Sequence, residues 1–227
     1  MSKITIAIDG HSSTGKSTAA KQLATSLSYI YVDTGAMYRA VSYYVLSNDL
    51  LTNGSIEKDL LIDELDKITI DFKFNPDTKN ADVYLNGVNI EREIRTLEVS
   101  NIVSNVAEIS EVRAKLVEQQ KAMGAKKGIV MDGRDIGSVV FPDAELKVFM
   151  TAAPEIRAKR RYDELVERGD KVNFEEIHKN VLERDRIDSS REDSPLIQTE
   201  DAMLLDTSTL TREEQLDLLK KWARERM

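Results

Sequence analysis

The chain has 227 residues, a formal net charge of −8 at pH 7, 41% hydrophobic and 32% charged residues, and no cysteine. That is enough chain for one well-buried core plus a small insertion, and the composition is that of a folding protein rather than a disordered one. The acidic balance, with no basic block beyond short KRR and KK runs, argues against a nucleic-acid surface; zero cysteine excludes disulfides and thiolate metal sites, and no apolar run reads as a membrane span or signal peptide, so a cytoplasmic protein is expected.

In chain order, the apolar alternation KITIAI at 3–8 predicts a strand, followed by a helix whose Ala19, Ala20, Leu23, Ala24 and Leu27 recur at helical spacing. YIYV at 29–32 reads as the next strand and 36–46 as another helix. Then the rhythm changes. KITIDFKF at 67–74 alternates Ile68, Ile70, Phe72 and Phe74, a turn-rich NPDTKNAD follows, and VYLNGVNI at 83–90 carries Asn86-Gly87, a strong short hairpin signal. This predicts a small antiparallel meander inserted between parallel units. GIVMD at 128–132, LKVFMT at 146–151 and AMLLD at 202–206 are short apolar runs of the kind buried on both faces of a parallel sheet. The C-terminal segment opens with a capping box, Thr211 and Glu214, and its stripe of Leu216, Leu219 and Trp222 predicts a helix docked on the core. The fold class is therefore α/β, a five-stranded parallel sheet flanked by helices with an antiparallel insertion.

Between the first strand and first helix lies DGHSSTGKST, in which Gly10-x4-Gly15-Lys16-Ser17 fits the phosphate-binding loop pattern in its required context. Backbone N–H groups of Gly10, Ser12, Ser13, Thr14, Gly15 and Thr18 and the helix N-terminus suit a polyphosphate, Lys16 spreads its charge over the β and γ oxygens, and the Ser17 hydroxyl can ligate Mg²⁺. A nucleoside triphosphate is the expected ligand. Two segments point to a second phosphate ligand: VDTGAMYRA brings Asp33, Thr34, Tyr38 and Arg39, and MDGRDIGSVVFPDA brings Asp132, Arg134 and Asp135, to the carboxyl edge of the sheet. Arg184, Asp188 and Arg191 are spaced to share one helical face, and Arg157, Arg160 and Arg161 form a similar set one helix earlier. Such sets suit phosphate oxygens, which guanidinium forks match well.

GxxxxGKS at 10–17, DTGAMYR at 33–39, EIRTLEVSNIVSNVA at 93–107, DGRDIGSVVFPDA at 132–144 and RDRIDSSREDSPL at 184–196 together resemble the bacterial cytidylate kinases, in order along nearly the full chain. The resemblance implies transfer of the γ-phosphoryl group of ATP to CMP or dCMP by a P-loop core (1–32, 97–152 and 171–227), a monophosphate-binding domain (33–96) that contains the antiparallel insertion, and a short lid (153–170). It implies Arg39, Arg134 and Arg191 on the acceptor phosphate, Ser104, Arg113 and Asp135 on cytosine, and Asp188 with Arg184 on the pentose. Arg157, Arg160 and Arg161 match the lid segment that closes over the ATP phosphates, and the catalytic set is then Lys16, Arg134, Arg157, Arg161 and Arg191. His11 stands where the family often has proline, and Thr34 where serine is common; threonine keeps the hydroxyl.

An in-line phosphoryl transfer rests on positioning and charge stabilisation, so no general base is demanded. His11 and His178 are expected to fill loop and surface roles. Asp132 reads either as an outer partner of Mg²⁺ or as an orienter of the neighbouring arginines. A small-molecule enzyme, monomeric and without nucleic-acid or membrane partners, is expected. A kinase for UMP or AMP, a shikimate-type metabolite kinase and a non-catalytic nucleotide-binding module remain alternatives on the residues alone.

Overall fold

The computed structural model describes residues 2–75 and 80–227. Along the chain the elements are β1 (Thr5–Gly10), α1 (Lys16–Leu27), β2 (Ile30–Asp33), α2 (Thr34–Ser47), the two-residue strands β3 (Leu51–Thr52) and β4 (Ser55–Ile56), α3 (Lys58–Glu64), β5 (Ile70–Asn75), β6 (Asn80–Leu85) and β7 (Val88–Asn89). They continue with α4 (Leu97–Ala107), α5 (Ser110–Gly124), β8 (Ile129–Gly133), β9 (Leu146–Thr151), α6 (Pro154–Glu167), α7 (Phe174–Ser190), β10 (Met203–Asp206) and α8 (Arg212–Arg224). Two compact units emerge, Met1–Asp33 with Gln120–Met227, and Thr34–Gln119.

The first unit is built on a five-stranded sheet in the order β10-β9-β1-β8-β2, with every neighbouring pair parallel. The expected strands are all present, displaced by at most two residues. β1 sits at the centre and all six of its residues are buried, so that even Thr5 and Asp9 of its alternating sequence are covered. The rims are wetter: Ile30 on β2 and Leu204 on β10 are both more than half exposed. α1 and α8 join one core with the sheet, in which Ala19, Ala20, Leu23 and Ala24 of α1 and Leu219 and Ala223 of α8 pack with Ile6, Ile8, Val130, Val148 and Met150. The three alanines keep α1 close to the strands. Thr211 caps α8 in the expected box, its Oγ1 accepting from the Glu214 N–H at 3.2 Å while Glu214 Oε2 accepts from the Thr211 N–H at 2.8 Å. Trp222 packs against this core.

β1 runs on to Gly10, which has φ +145° and lies so near β9 that a Cβ would fall 1.9 Å from the Met150 carbonyl oxygen. No other residue fits there, and the phosphate-binding loop leaves the sheet at that point.

The second unit carries the predicted meander as a three-stranded antiparallel sheet, β5-β6-β7. The β6–β7 turn is Asn86-Gly87, both at positive φ (50° and 83°), the geometry of a type I′ hairpin. Asn86 Oδ1 also accepts from the Thr69 N–H at 2.8 Å. Two details differ from the pattern. Leu65–Lys67 forms a 3₁₀ turn, and β5 starts only at Ile70, because Leu65 and Ile68 are buried by turning the chain inward. The turn-rich tract is shorter than its composition suggests: Asn75 ends β5 and Asn80 to Asp82 begin β6, where Asp82 accepts side-chain N–H bonds from Asn75 and Asn89. Residues 76–79 of that tract lie outside the described residues.

The helical spacing of Arg184, Asp188 and Arg191 also needs correction. α7 ends at Ser190, and Arg191 has extended backbone angles (φ −62°, ψ 144°), so it lies just past the helix rather than on its face. Its N–H still closes the last turn on the Ile187 carbonyl, and its Nε donates to the Ser194 carbonyl at 2.8 Å, which bends the chain away.

Candidate active site

The phosphate-binding loop spans residues 11–15, with Gly15 at φ 92° immediately before α1. That conformation turns the chain into the helix, whose first-turn N–H groups lack intrahelical partners and so favour an anion. Lys16 is buried, and its Nζ donates to the His11 carbonyl at 2.7 Å, reaching back over the loop; the Thr14 hydroxyl donates to the same oxygen at 3.1 Å. Other carbonyls of the loop are held from outside. Arg157 Nη1 donates to the Ser12 carbonyl at 3.3 Å, and the Thr14 carbonyl receives both Arg160 Nη1 at 3.3 Å and the Thr207 hydroxyl at 2.8 Å. Arg160 also donates to the Thr207 carbonyl at 2.6 Å.

Beside Lys16 the parallel register sets Asp33, at the end of β2, level with Asp132 on β8. Asp132 is buried and accepts from the Ser17 hydroxyl at 2.9 Å and the Tyr31 hydroxyl at 2.8 Å. Burial and the Asp33 carboxylate push its pKa up to about 6, against the opposing pull of Lys16 and the two hydroxyls. Burial and Arg134 push Lys16 down to about 7, against the neighbouring carboxylates. A polyphosphate beside Lys16 would restore its charge, since an adjacent anion favours the ammonium form.

Asp9, next to the loop's first glycine, accepts from the backbone N–H groups of Ile136 at 2.8 Å and Gly137 at 2.7 Å. Those residues begin a π-helical turn, Ile136–Val140, directly after Arg134 and Asp135. Burial dominates at Asp9 and raises its pKa to about 7 in spite of the two N–H bonds.

Arg134 Nε donates to Asp188 Oδ2 at 2.7 Å. Asp188 is buried and Arg134 partly so; although desolvation opposes both charges, the pair holds Arg134 above and Asp188 below their ordinary pKa values. One turn earlier on α7, Asp185 receives Arg157 in a two-pronged contact, Nη1 to Oδ1 at 2.9 Å and Nη2 to Oδ2 at 2.5 Å, and lies 3.3 Å from His11 Nδ1. Arg161, further along α6, meets Glu164 at 3.0 Å. Arg184, Asp188 and Arg191 thus all occupy the α7 end of this unit, and Asp135 is buried after β8.

The second unit gathers Tyr38 and Arg113: the guanidinium carbon lies 5.5 Å from the tyrosine ring centroid, and Arg113 Nη1 donates to the Ala107 carbonyl at 3.1 Å. Ser104 is buried on α4, which packs against α2, the helix that begins with the buried Thr34 and carries Arg39. His178 stacks on Phe174 of its own helix, whereas His11 sits edge-on to Phe149 and beside Asp185.

Asp9, Tyr31, Asp185 and Thr207 have roles here that the sequence reading does not single out. Asp185 stood inside the RDRID segment, and its offset of three from Asp188 is a signal for a second inward carboxylate. Asp9, Tyr31 and Thr207 act through long-range contacts that no local spacing encodes.

The Ser17 hydroxyl and the Asp132 carboxylate form an all-oxygen pair, the donor chemistry of a hard cation such as Mg²⁺ that keeps most of its waters. Among the described residues no group of three or more His, Cys, Asp or Glu side chains gathers into a metal cage.

A family model described as cytidylate kinase matches residues 6–225. Cytidylate kinase of Flavobacterium johnsoniae is 62% identical over 215 residues, covering 95% of this chain and 94% of the relative. That of Phocaeicola vulgatus is 54% identical over 226 residues, covering 100% of this chain and 97% of the relative. Among solved structures, an uncharacterized protein from Eubacterium ventriosum superposes with a TM-score of 0.54 at 12% identity, covering 99% of this chain and all of the other, which is a likeness of fold.

Proposed function

This chain belongs to the cytidylate kinase family and transfers the γ-phosphoryl group of ATP to CMP or dCMP; we propose that the loop at residues 10–17 with Lys16 is its donor site. The observation that carries this is the geometry around Lys16, whose buried ammonium reaches over the loop beside the Ser17 and Asp132 oxygens. Gly10, Ser12, Ser13, Thr14 and Gly15 line the loop, Thr18 follows in the first turn of α1, and Arg157, Arg160 and Arg161 of α6 add positive charge on the donor side. Mg²⁺, held by Ser17 with Asp132 behind it, would supply charge neutralisation on the transferred phosphoryl group.

On the acceptor side, we assign Arg39, Arg134 and Arg191 to the monophosphate, Ser104, Arg113 and Asp135 to cytosine, and Arg184 and Asp188 to the pentose, with Asp33, Thr34 and Tyr38 completing the site. A carboxylate facing an exocyclic amine, with an arginine and a hydroxyl for the ring acceptors, matches cytosine. The attacking group is a phosphate oxygen whose second pKa is about 6, so near pH 7 roughly nine-tenths is already dianionic and no protein base need remove a proton. The residues instead align and neutralise, and water exclusion keeps hydrolysis low. Residues 153–170 are assigned as the lid of a cytoplasmic monomer and 33–96 as its monophosphate-binding segment; residues 97–119, expected with the core, fall instead in the compact unit Thr34–Gln119, so the core is assigned to 1–32, 120–152 and 171–227.

The test is ADP release from ATP and Mg²⁺ with CMP, dCMP, UMP, AMP and GMP offered separately. Turnover concentrated on CMP and dCMP is the expected outcome; Asp135→Ala should flatten that preference. ATP turnover indifferent to every monophosphate would overturn the reading.

A further inference from the structure

We infer that Asp185 is a positioning residue of the donor site, acting through Arg157 and His11 to fix the phosphate-binding loop. Arg157 is almost fully buried, at 2% exposure. A buried guanidinium must be paired and hydrogen-bonded to be tolerated, and here Nε donates to the Ala152 carbonyl at 2.8 Å while Nη1 and Nη2 both reach Asp185. With the fork so anchored, Nη1 is left directed at the Ser12 carbonyl. That contact turns a loop carbonyl outward, the orientation a loop must hold if its N–H groups are to face an anion.

The same carboxylate also approaches the loop directly, lying 3.3 Å from His11 Nδ1 without hydrogen-bond geometry. Burial works to raise the Asp185 pKa, but His11 and Arg157 outweigh it and hold the group at about 2, so it stays ionised throughout the working range of the enzyme. One turn on, Asp188 grips Arg134. α7 therefore presents two carboxylates, one to the arginine behind the donor loop and one to an arginine assigned to the acceptor, and Asp185 is the donor-side member. This inference rests on the donor-site reading given above.

The experiment compares wild type, Asp185→Asn, Asp185→Glu, Arg157→Met and the Asp185→Asn/Arg157→Met pair, measuring ATP dissociation constants by calorimetry without acceptor, and KM for ATP and for CMP. Asp185→Asn should weaken ATP by roughly tenfold, the scale of coupling between contacting residues, with KM for CMP changed less than about twofold, and Asp185→Glu should recover part of the loss. Adding Asp185→Asn to Arg157→Met should cost no more than about the two- to threefold that the His11 contact carries, because the rest of the carboxylate's effect passes through the guanidinium.

Unchanged ATP affinity in Asp185→Asn, an equal loss for both substrates, or full additivity in the pair would overturn the inference. If Asp185→Asn fails to fold, His11→Ala decides, because it removes one loop contact and leaves the Arg157 pair: ATP weakened by about two- to threefold with CMP unaffected supports the role, and no change refutes it. Absence of CMP-dependent turnover in the wild type would instead strike the reaction assignment, whatever these variants do.

Discussion

The carboxylate of Asp9 accepts a hydrogen bond from the backbone N–H of Gly137 at 2.7 Å, and with the Ile136 N–H at 2.8 Å it ties the strand feeding the phosphate-binding loop to the turn that follows Arg134 and Asp135. An amide in its place would present an NH₂ group to one of these buried donors. Asp9→Asn should therefore lower stability by about 1–3 kcal/mol, the cost of an unsatisfied buried polar group. Urea unfolding monitored by circular dichroism reads this as a lower midpoint at unchanged slope.

The same residue gives a pH signature. Its folded pKa of about 7 lies above the ordinary 3.8, so between those values the folded state holds more protons than the unfolded chain. Its contribution is most favourable below pH 3.8 and is lost as pH rises to about 7. Melting curves across that window should show this falling component in wild type, and Asp9→Asn should remove it; an identical slope in both proteins would refute the assignment.

Lys16→Met should keep the fold, because the methylenes it replaces are already buried, but should lose about 10²–10³-fold in kcat as a preorganised charge disappears from the donor site. Thermal melts and steady-state kinetics on one preparation separate the two effects.

Asp188→Asn should weaken CMP far more than ATP, since it releases Arg134 from a buried ion pair on the acceptor side. Because only the Asp188 side of the pair is fully buried, its removal should also lower stability, by less than the loss of a wholly buried pair. KM for CMP beside KM for ATP, with a melting curve, checks both; equal effects on the two substrates would remove Asp188 from the acceptor site.

Thr211→Ala addresses the fold alone. Loss of the capping box should cost about 1 kcal/mol, read as a drop in Tm of about 2–4 °C for a chain of this size, with kcat and both KM values unchanged.

How legible this molecule is in its sequence depends on the range of the interaction. The β1 loop-to-helix passage, the Asn86-Gly87 turn and the Thr211 cap are encoded within a few residues, and each has the expected form. Arg191 departs from its helical spacing because a helix stops where its end groups find other partners, here the Asp188 carbonyl, which accepts from the Leu196 N–H, and periodicity does not reveal that. Asp9 with Gly137, Tyr31 with Asp132 and Thr207 with Thr14 are brought together only by the sheet and the helices around it. The loop motif is therefore readable one residue at a time, whereas the scaffold behind it is readable only after the strands are ordered.

That ordering carries a cost in time. β1 is made first and lies at the centre, yet its neighbours pair Thr5 with Ile129 and Ile6 with Leu146, so the middle strand waits for most of the chain before it can be flanked. The segment Thr34–Gln119 is contiguous and closes on its own contacts. Such long-range parallel pairing is intrinsically slow, and the strand feeding the nucleotide loop gains both neighbours only once residues 129–151 are in place. Substitutions that weaken β8 or β9 should therefore show first as slower acquisition of ATP binding during refolding, before they show in the finished enzyme.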